Sequence, residues 1–319
     1  MESAGTGFSD LVGGQREACL AIDVGGTKLA AGLVDPAGLL LARRQVPTPT
    51  TPDAEVLFDE LARLVVDVLG GTGCGGTEVP VATAVACGIG CGGPMSAGGE
   101  LVSPLNIPAW RAFPLRGRIA RLTGLPTALD NDAKAFALGE GWVGAARTSD
   151  DFLAMVVSTG VGGGIVLDGR LLSGASGNAG HIGHVMVEPD GRLCPCGARG
   201  CLEAEASGLA IAARTGRPPV EAPAEERARA GRMVGRAVAS AVNLLDIPLI
   251  VVAGSVALGF GEVFFQAANA ELASRARLAF AVGSQIVPAG LGGDGPLIGA
   301  GAVGWRAVGV AATRFGKPK

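Results

Sequence analysis

The two histidines of this chain stand close together, and three cysteines follow them. His181 and His184 are its only histidines, and Cys194, Cys196 and Cys201 come soon afterwards. One imidazole and three thiolates at such spacing form a ligand set that tetrahedral Zn²⁺ prefers in proteins. The alternative is a pair of turn histidines beside a buried or disulfide-bonded cysteine cluster. We favour a closed four-ligand site, which would hold a loop in place without activating water.

The bulk composition excludes one class of partner. At 319 residues the chain is long for one hydrophobic core and comfortable for two lobes. Its formal net charge is −3, and Lys and Arg are scattered without a basic run. Nucleic acid is therefore not an expected partner, because phosphate binding needs concentrated positive charge. The 53 glycines and 48% hydrophobic residues fit an α/β protein with many tight turns.

No segment of the sequence predicts a membrane span. The N-terminal stretch has neither an apolar run nor a basic start, so we read no signal peptide in it. The longest apolar window, 247–261, is too short to cross a bilayer and is interrupted by Pro248 and Gly254. Seven cysteines without a secretory signal indicate reduced thiols in the cytoplasm. The cysteines outside the cluster are predicted to be packing residues: Cys19, Cys74, Cys87 and Cys91.

The order of the predicted elements indicates an α/β protein with mixed sheets. Residues 1–16 are expected to be a flexible tail, and residues 88–99 a Gly-rich loop. Short turns between the first strands predict antiparallel pairing, whereas helices between later strands allow parallel pairing. The predicted strands are 19–24, 28–34, 39–45, 81–87, 127–129, 152–157, 164–167, 170–172, 249–253 and 285–288. The predicted helices are 54–69, 133–146, 224–245, 262–279 and 298–313, with further helical segments after the cysteine cluster.

Two glycine-rich turns are candidate phosphate sites. In Asp23-Val-Gly-Gly-Thr-Lys28 the glycines let backbone N–H groups approach a phosphate, and Asp23 is placed to hold Mg²⁺ through water. A plain Gly-Gly hairpin is the alternative. Residues 158–164 form a second such turn, which is neither a Walker A nor a Rossmann loop. Residues 88–93 match the dinucleotide pattern, but Pro94 follows and the expected acidic residue is missing. Two turns without a Walker lysine predict an ATP site shared between two lobes.

A candidate catalytic base lies at a predicted strand-to-helix junction. In Leu129-Asp-Asn-Asp-Ala133 two acids flank an asparagine, and Asp132 is expected at or near the N-cap of the helix. The positive end of the helix dipole is expected to keep this carboxylate ionised and ready to accept a proton. Phosphoryl transfer needs such a base to orient the acceptor hydroxyl. The alternative is a helix cap without a catalytic role, and spacing alone leaves the two equal.

Four motifs together resemble the ROK family (repressors, open reading frames, kinases), whose kinases phosphorylate hexoses and N-acylhexosamines with ATP. They stand in the family's order and cover nearly the whole chain after the tail: Asp23-Val-Gly-Gly-Thr-Lys28, Leu129-Asp-Asn-Asp-Ala-Lys-Ala-Phe-Ala-Leu-Gly-Glu140, Ser158-Thr-Gly-Val-Gly-Gly-Gly164, and Gly183-His184 through Cys201-Leu-Glu203. The resemblance implies the two-lobed α/β fold of the actin/hexokinase/Hsp70 ATPase group. We expect a small lobe at 17–128 plus 298–315, and a large lobe at 129–297 with a zinc-binding loop at 184–201.

The resemblance also implies roles for individual residues. Asp132 would take the proton of the sugar 6-hydroxyl, and Asn131 would bond the neighbouring hydroxyls. Glu203 would bind hydroxyls near C1 and C2, and Asn106 is a further candidate for the same pocket. His184 would be both a zinc ligand and a sugar contact. The implied ATP- and phosphate-binding residues are Asp23, Gly25, Gly26, Thr27, Lys28, Thr159, Gly160, Gly162 and Gly163, with Gly254 in an adenosine segment. The implied zinc ligands are His184, Cys194, Cys196 and Cys201.

One position departs from the family pattern. Typical family kinases have Glu three residues before the zinc histidine, where this chain has His181. A neutral imidazole both donates and accepts hydrogen bonds, whereas a carboxylate only accepts them. The exchange can retune the pocket toward a 2-acetamido carbonyl, leave hexose kinase activity intact with an altered pH dependence, or mark a protein that binds sugar without turnover. Because Asp132 and both phosphate turns are present, we favour the first two together.

The predicted function is that of an ATP- and Mg²⁺-dependent kinase of a hexose 6-hydroxyl with a structural zinc. Glucose is the favoured acceptor, and N-acetylmannosamine or N-acetylglucosamine is the alternative. A further alternative is a sugar-sensing relative without catalysis. We do not expect a DNA-binding repressor, because the 22 residues before Asp23 are neither basic nor helically periodic. The resemblance implies a cytoplasmic homodimer or homotetramer.

Overall fold

The structure, a computed structural model, describes residues 16–70 and 82–310. Its strands are β1 (Arg16–Val24), β2 (Lys28–Val34), β3 (Leu40–Pro47), β4 (Ala82–Cys91), β5 (Thr127–Asn131), β6 (Phe152–Val157), β7 (Val161–Leu167), β8 (Arg170–Leu171), β9 (Leu249–Ala253) and β10 (Gln285–Pro288). Its helices are α1 (Ala54–Leu69), α2 (Leu115–Thr123), α3 (Asp132–Val143), α4 (Leu202–Ala206), α5 (Gly208–Thr215), α6 (Ala224–Leu245), α7 (Ser255–Phe260), α8 (Glu262–Arg275) and α9 (Gly295–Ala307).

The first sheet is mixed, as predicted, with the strand order β3-β2-β1-β4-β5. β2 pairs antiparallel with β1 and β3, whereas β4 is parallel to β1 and β5. The central strand β1 is buried on both faces because helices cover both sides of the sheet. Leu20 and Ile22 pack with α1 on one side, and Cys19 and Ala21 pack with α9 on the other. The polar end of β1, at Asp23, therefore emerges from a rigid core.

The second sheet has the strand order β10-β9-β6-β7-β8. β6, β9 and β10 are parallel, and β7 pairs antiparallel with β6 and β8. The long helix α6 packs with α8 against one face, and Val234, Val238 and Val242 of α6 contribute to that core at helical spacing. Phe136 and Ala137 of α3 pack on the other face. This sheet therefore also has helices on both sides.

Helices α3 and α9 connect the two sheets through contacts that only glycine allows. A Cβ added at Gly139 of α3 would lie 3.0 Å from the Cα of Gly299 in α9, and one at Gly299 would lie 2.4 Å from the carbonyl oxygen of Ala135. A Cβ added at Gly88 of β4 would lie 1.9 Å from the carbonyl oxygen of Ala300 in α9. A real Cβ could not occupy the positions at Gly299 and Gly88, where it would lie under 3 Å from a carbonyl oxygen. Glycine at these positions therefore lets the backbones come into direct contact. The N-terminus of α3 is held where the two halves meet.

Several predicted boundaries are wrong. β4 continues through Cys91, so residues 88–91 of the predicted Gly-rich loop are strand. β7 begins at Val161, so three glycines of the second predicted phosphate turn also lie in a strand. α3 ends at Val143 instead of 146, and α2 was not predicted. Glycine is disfavoured in strands because it lacks a packing side chain, but here the backbone of α9 packs directly on Gly88 and that of α3 on Gly164.

Other predictions about the fold are confirmed. Helices α1 and α6 and strands β2, β6, β9 and β10 have the predicted bounds. Cys19, Cys87 and Cys91 are buried, whereas Cys74 lies outside the described residues. The predicted tail lies outside them too, except for Arg16, which begins β1. One more predicted boundary is wrong, because α9 runs from Gly295 to Ala307 in place of 298–313. Across 16–70 and 82–310, every helix is too short or too polar to pass through a bilayer.

Candidate active site

The junction of β5 and α3 presents Asn131 and Asp132. Asn131 is the N-cap of α3, and its Oδ1 accepts hydrogen bonds from the N–H groups of Ala133 at 3.0 Å and Lys134 at 3.3 Å. Asp132 is the first helical residue, and its Oδ1 accepts from the N–H of Ala133 at 2.8 Å. The capping role thus belongs to Asn131, and Asp132 lies directly after the cap, which confirms the expectation that it stands at or near the N-cap. The side chain of Asp132 is therefore not needed to cap the helix.

Two acids, Asp23 and Asp132, lie close together at the ends of β1 and β5. A Cβ added at Gly90, on β4 between them, would lie 3.9 Å from Asp23 Oδ1 and 3.6 Å from Asp132 Cα. Burial raises the pKa of Asp23 to about 7, and the negative charge of Asp132 adds to the rise, against Lys28 and Arg43. Asp23 is 8% exposed. Ionising Asp23 and Asp132 at the same time therefore costs free energy.

Burial also raises the pKa of Asp132 above that of an ordinary carboxyl group. The hydrogen bond from Ala133 N–H and the proximity of His181 lower it, but they do not compensate for burial. Burial therefore opposes the stabilisation of the ionised form that the helix dipole was expected to provide. A raised pKa makes the ionised Asp132 a stronger base than an exposed aspartate.

Asn106, Asn131, Asp132 and His181 converge on the loop that follows β4. A Cβ added at Gly92 would lie 3.3 Å from Asn106 Oδ1 and 3.9 Å from Asp132 Oδ2. A Cβ added at the next residue, Gly93, would lie 3.5 Å from Asn131 Nδ2 and 3.9 Å from His181 Nε2. These four side chains come from three separate segments of the chain, since Asn131 and Asp132 are neighbours in sequence. Together with the two glycines they line one small polar space.

Gly92 and Gly93 were missed as site residues. The signal was present, since the sequence pattern at 88–93 singled out the glycines, but as a dinucleotide motif that was rejected. In the structure these two glycines have a steric role and not the phosphate-binding role of a dinucleotide motif. Without side chains they leave room beside Asp132 and His181, so they form a flat wall of the polar space.

The first phosphate turn, between β1 and β2, is closed by its own backbone and by Thr48. The N–H of Gly25 donates to the carbonyl of Lys28 at 3.0 Å, and Thr48 Oγ1 donates to the carbonyl of Gly25 at 2.7 Å. A Cβ added at Gly26 would lie 2.9 Å from both Cβ and Nδ2 of Asn106. The turn therefore borders the polar space directly. Thr48, which no motif pointed to, supports it.

The second phosphate turn lies between β6 and β7 and contacts Glu203. The N–H of Ser158 donates to the carbonyl of Gly160 at 2.9 Å, which tightens the turn. Glu203 Oε2 accepts from the N–H of Val161 at 2.9 Å, and a Cβ added at Gly160 would lie 2.7 Å from that oxygen. Thr159 is at the tip of the turn, and α4 brings Glu203 against its base. Glu203 thus connects this turn with the cysteine cluster.

The turn between β9 and α7 stands beside the second phosphate turn. Gly254 has a φ of +101°, and a Cβ added there would lie 2.2 Å from the carbonyl oxygen of Val157. Only glycine tolerates both conditions. Ser255 Oγ lies 2.9 Å from Ser158 Oγ. The ends of the parallel strands β6 and β9 thereby form one edge, where a ligand commonly binds in α/β sheets.

The cysteine cluster and His184 form a group of potential metal ligands. His184 Nδ1 lies 3.7 Å from Cys194 Sγ, Cys196 Sγ lies 3.7 Å from Cys201 Sγ, and all four ligand atoms lie within 4.8 Å of one another. Around a tetrahedral ion with metal–sulfur bonds of ~2.3 Å, the sulfur atoms stand about 3.8 Å apart. The residues therefore fit one tetrahedral metal ion. The ring centroids of His184 and His181 are 6.0 Å apart, so the cluster lies beside the polar space.

The family resemblance is confirmed by comparison with known proteins. The chain is 39% identical over 258 residues to an N-acetylmannosamine kinase from Citrobacter koseri, which covers 76% of this chain and 84% of that protein. It is similar to a solved ROK family glucokinase from Streptomyces griseus in complex with glucose and AMPPNP, with a TM-score of 0.78, 30% identity, and coverage of 91% of this chain and 100% of that one.

A ROK hexokinase from Thermus thermophilus is also similar, with a TM-score of 0.73 and 33% identity over 90% of this chain and 98% of that one. The predicted two-lobed fold with mixed sheets is thereby confirmed. The family model for the ROK family matches residues 19–304, which include both sheets and the cysteine cluster. This chain belongs to the ROK family.

Proposed function

We propose that this protein is an ATP-dependent sugar kinase whose acceptor is a 2-acetamido hexose, N-acetylmannosamine first. The kinase activity agrees with the sequence prediction, and similarity to named sugar kinases supports it. The acceptor differs from the predicted favourite, glucose. Relatives named N-acetylmannosamine kinase, 36–39% identical, favour the alternative reading. The observation that carries the site assignment is the convergence of Asn131, Asp132 and His181 on the glycine wall after β4.

His181 gives a chemical reason for a 2-acetamido acceptor. Burial, followed by the proximity of His184, lowers the pKa of His181, so its neutral form predominates near neutral pH. A neutral imidazole offers one donor and one acceptor. The donor suits the carbonyl oxygen of an acetamido group, and Asn131 Nδ2 on the same wall offers another donor.

Asp132 is our candidate for the general base. Its raised pKa suits it to accept the proton of the sugar 6-hydroxyl as the oxygen attacks the γ-phosphorus. Asn106 and Asn131 would orient neighbouring hydroxyls, and Glu203 those near C1 and C2.

The nucleotide would lie between the two phosphate turns. Backbone N–H groups of Gly25 to Lys28 and of Thr159 to Gly163 would contact the phosphate oxygens, and Gly254 would leave room for the adenosine. Mg²⁺ bound with ATP would neutralise charge on the phosphates and help Asp23 to stay ionised despite its raised pKa. The bound cation would therefore offset the free-energy cost of ionising the buried carboxyl group of Asp23.

Zinc is the metal that we propose for the His184 and cysteine group. Three thiolates and one imidazole at tetrahedral distances are the ligands that Zn²⁺ prefers, and four protein ligands leave no open position for chemistry. Its role would be to fix His184 and the start of α4, which carries Glu203. Both residues then face the acceptor from a rigid loop.

The test is ADP release from MgATP by the purified protein with N-acetylmannosamine, N-acetylglucosamine, glucose, mannose and fructose. We expect the highest kcat/KM with N-acetylmannosamine. Asp132→Asn should lower kcat by about 10²- to 10⁴-fold, with sugar affinity nearly unchanged, because the amide cannot accept the proton. Turnover of glucose above both acetamido sugars would refute the acceptor assignment. No turnover on any sugar by a folded, zinc-loaded protein would favour the sugar-sensing alternative.

A further inference from the structure

The loop between β8 and His181, residues 172–180, is held at both of its ends. The N–H of Ala179 donates to the carbonyl of Ser173 at 3.0 Å, which closes the loop on itself. Gly180 has a φ of +103°, and a Cβ added there would lie 2.3 Å from the carbonyl oxygen of Gly163 in β7. The backbone just before His181 therefore packs directly against β7 of the second sheet.

Lys134 attaches the middle of this loop to the first sheet and α3. Its side chain is 3% exposed, and Nζ lies 2.9 Å from Asp130 Oδ1 on β5. The same Nζ donates to the carbonyl of Gly177 at 3.1 Å. A buried ammonium needs such partners, because an unpaired one would be costly. The loop thus supplies part of what this buried charge requires.

Asn178 attaches the loop to the wall of the sugar pocket. Its Nδ2 donates to the carbonyl of Met95 at 3.2 Å, and its Oδ1 accepts from the N–H of the same residue at 3.4 Å. One side-chain amide thereby pairs with both backbone groups of a residue 83 positions away. Met95 follows Gly93 by two residues, so the contact fixes the glycine wall relative to His181.

We propose that Asn178 is a positioning residue that sets the width of the acceptor pocket between His181 and the glycine wall. Gly93 and His181 border the same space and come from opposite halves of the molecule, and Asn178 is the side chain that ties their two loops together by paired hydrogen bonds. The width of this space decides which substituent of the sugar fits between Asn131 and His181. This inference rests on the proposed sugar-kinase function.

The test compares Asn178→Ala with the wild type and with Ser173→Ala, a control in the same loop. The backbone oxygen of Ser173, and not its hydroxyl, holds the loop, so this control keeps the attachment. Loss of two hydrogen bonds should raise KM for N-acetylmannosamine about 5- to 30-fold in Asn178→Ala. KM for ATP should stay within about twofold, because the hydrogen bonds of the Asn178 side chain go to Met95 and Ser176, outside the phosphate turns. Equal changes in both KM values, or no change in either, would overturn the proposal.

Hydrogen exchange separates this proposal from the proposed function. In Asn178→Ala, amides at 92–96 and 173–181 should exchange faster, while those of β1 and β6 stay protected as in the wild type. If no sugar is bound or phosphorylated by the wild type, the proposed function fails, and faster exchange at both loops would still support the attachment. Unchanged exchange at 92–96 would overturn the role of Asn178 whatever the substrate.

Discussion

Replacing Asp23 by Asn should stabilise the free protein at alkaline pH. Burial and Asp132 raise the pKa of Asp23 from 3.8 to about 7, so the folded protein holds a proton that the unfolded chain releases. The stability that this protonated form contributes is fully present below pH 3.8 and is lost as pH rises through 7. At pH 8 the loss reaches at most about 4 kcal/mol, and at pH 5 somewhat under 2 kcal/mol. Asn cannot ionise and avoids the loss at both pH values.

The assay is urea unfolding at pH 5 and pH 8, in buffer without Mg²⁺ or nucleotide. The stability of Asp23→Asn relative to wild type should increase by about 2–3 kcal/mol between the two pH values, while its kinase activity falls. Asp59→Asn, an exposed change on α1, should follow the wild type at both. A stability difference between Asp23→Asn and wild type that does not depend on pH would refute the electrostatic reasoning.

Three further changes test other parts of the molecule. His181→Glu should alter relative kcat/KM across the sugar panel at least about tenfold, with KM for ATP nearly constant, because the donor is lost; an unchanged preference would contradict this. Cys196→Ser should abolish stoichiometric zinc, measured by elemental analysis, and lower Tm. Glu140→Gln should lower urea stability by about 1–3 kcal/mol, because this fully buried carboxylate accepts from the N–H groups of Ala145, Gly290 and Leu291; equal midpoints would contradict that role.

The sequence predicted those parts of the fold that depend on local pattern. The bounds of α1 and α6 follow from apolar residues at helical spacing, and those of β2 and β6 from continuous apolar runs. The extension of β4 through residues 88–91 could not be predicted in this way. Glycines there read as a loop, yet Gly88 is in a strand because the backbone of α9 lies against it. Only the packed structure reveals that requirement.

The candidate site shows the same contrast between features set by local sequence and features set by tertiary packing. Asp23, Asp132 and the two glycine-rich turns stand in local motifs at strand ends, so their sequence context was enough to single them out as candidates. The partners that define the pocket are distant in sequence. Gly26 meets Asn106, Gly93 meets His181, and these pairings follow from the arrangement of the two sheets. The helix position of Asp132 was predicted, but its raised pKa depends on burial, which the motif does not specify.

The raised pKa values of Asp23 and Asp132 connect the stability of this fold with its proposed chemistry. An exposed pair of aspartates would cost the free protein nothing, but Asp132 would then be a weak base at neutral pH. Burying both acids destabilises the ionised protein and strengthens the base. MgATP reverses part of this destabilisation, because cation binding favours ionised Asp23. The protein should therefore gain more stability from MgATP at pH 8 than at pH 6, because Asp23, with a pKa of about 7, is mostly ionised before binding at pH 8 and mostly protonated at pH 6.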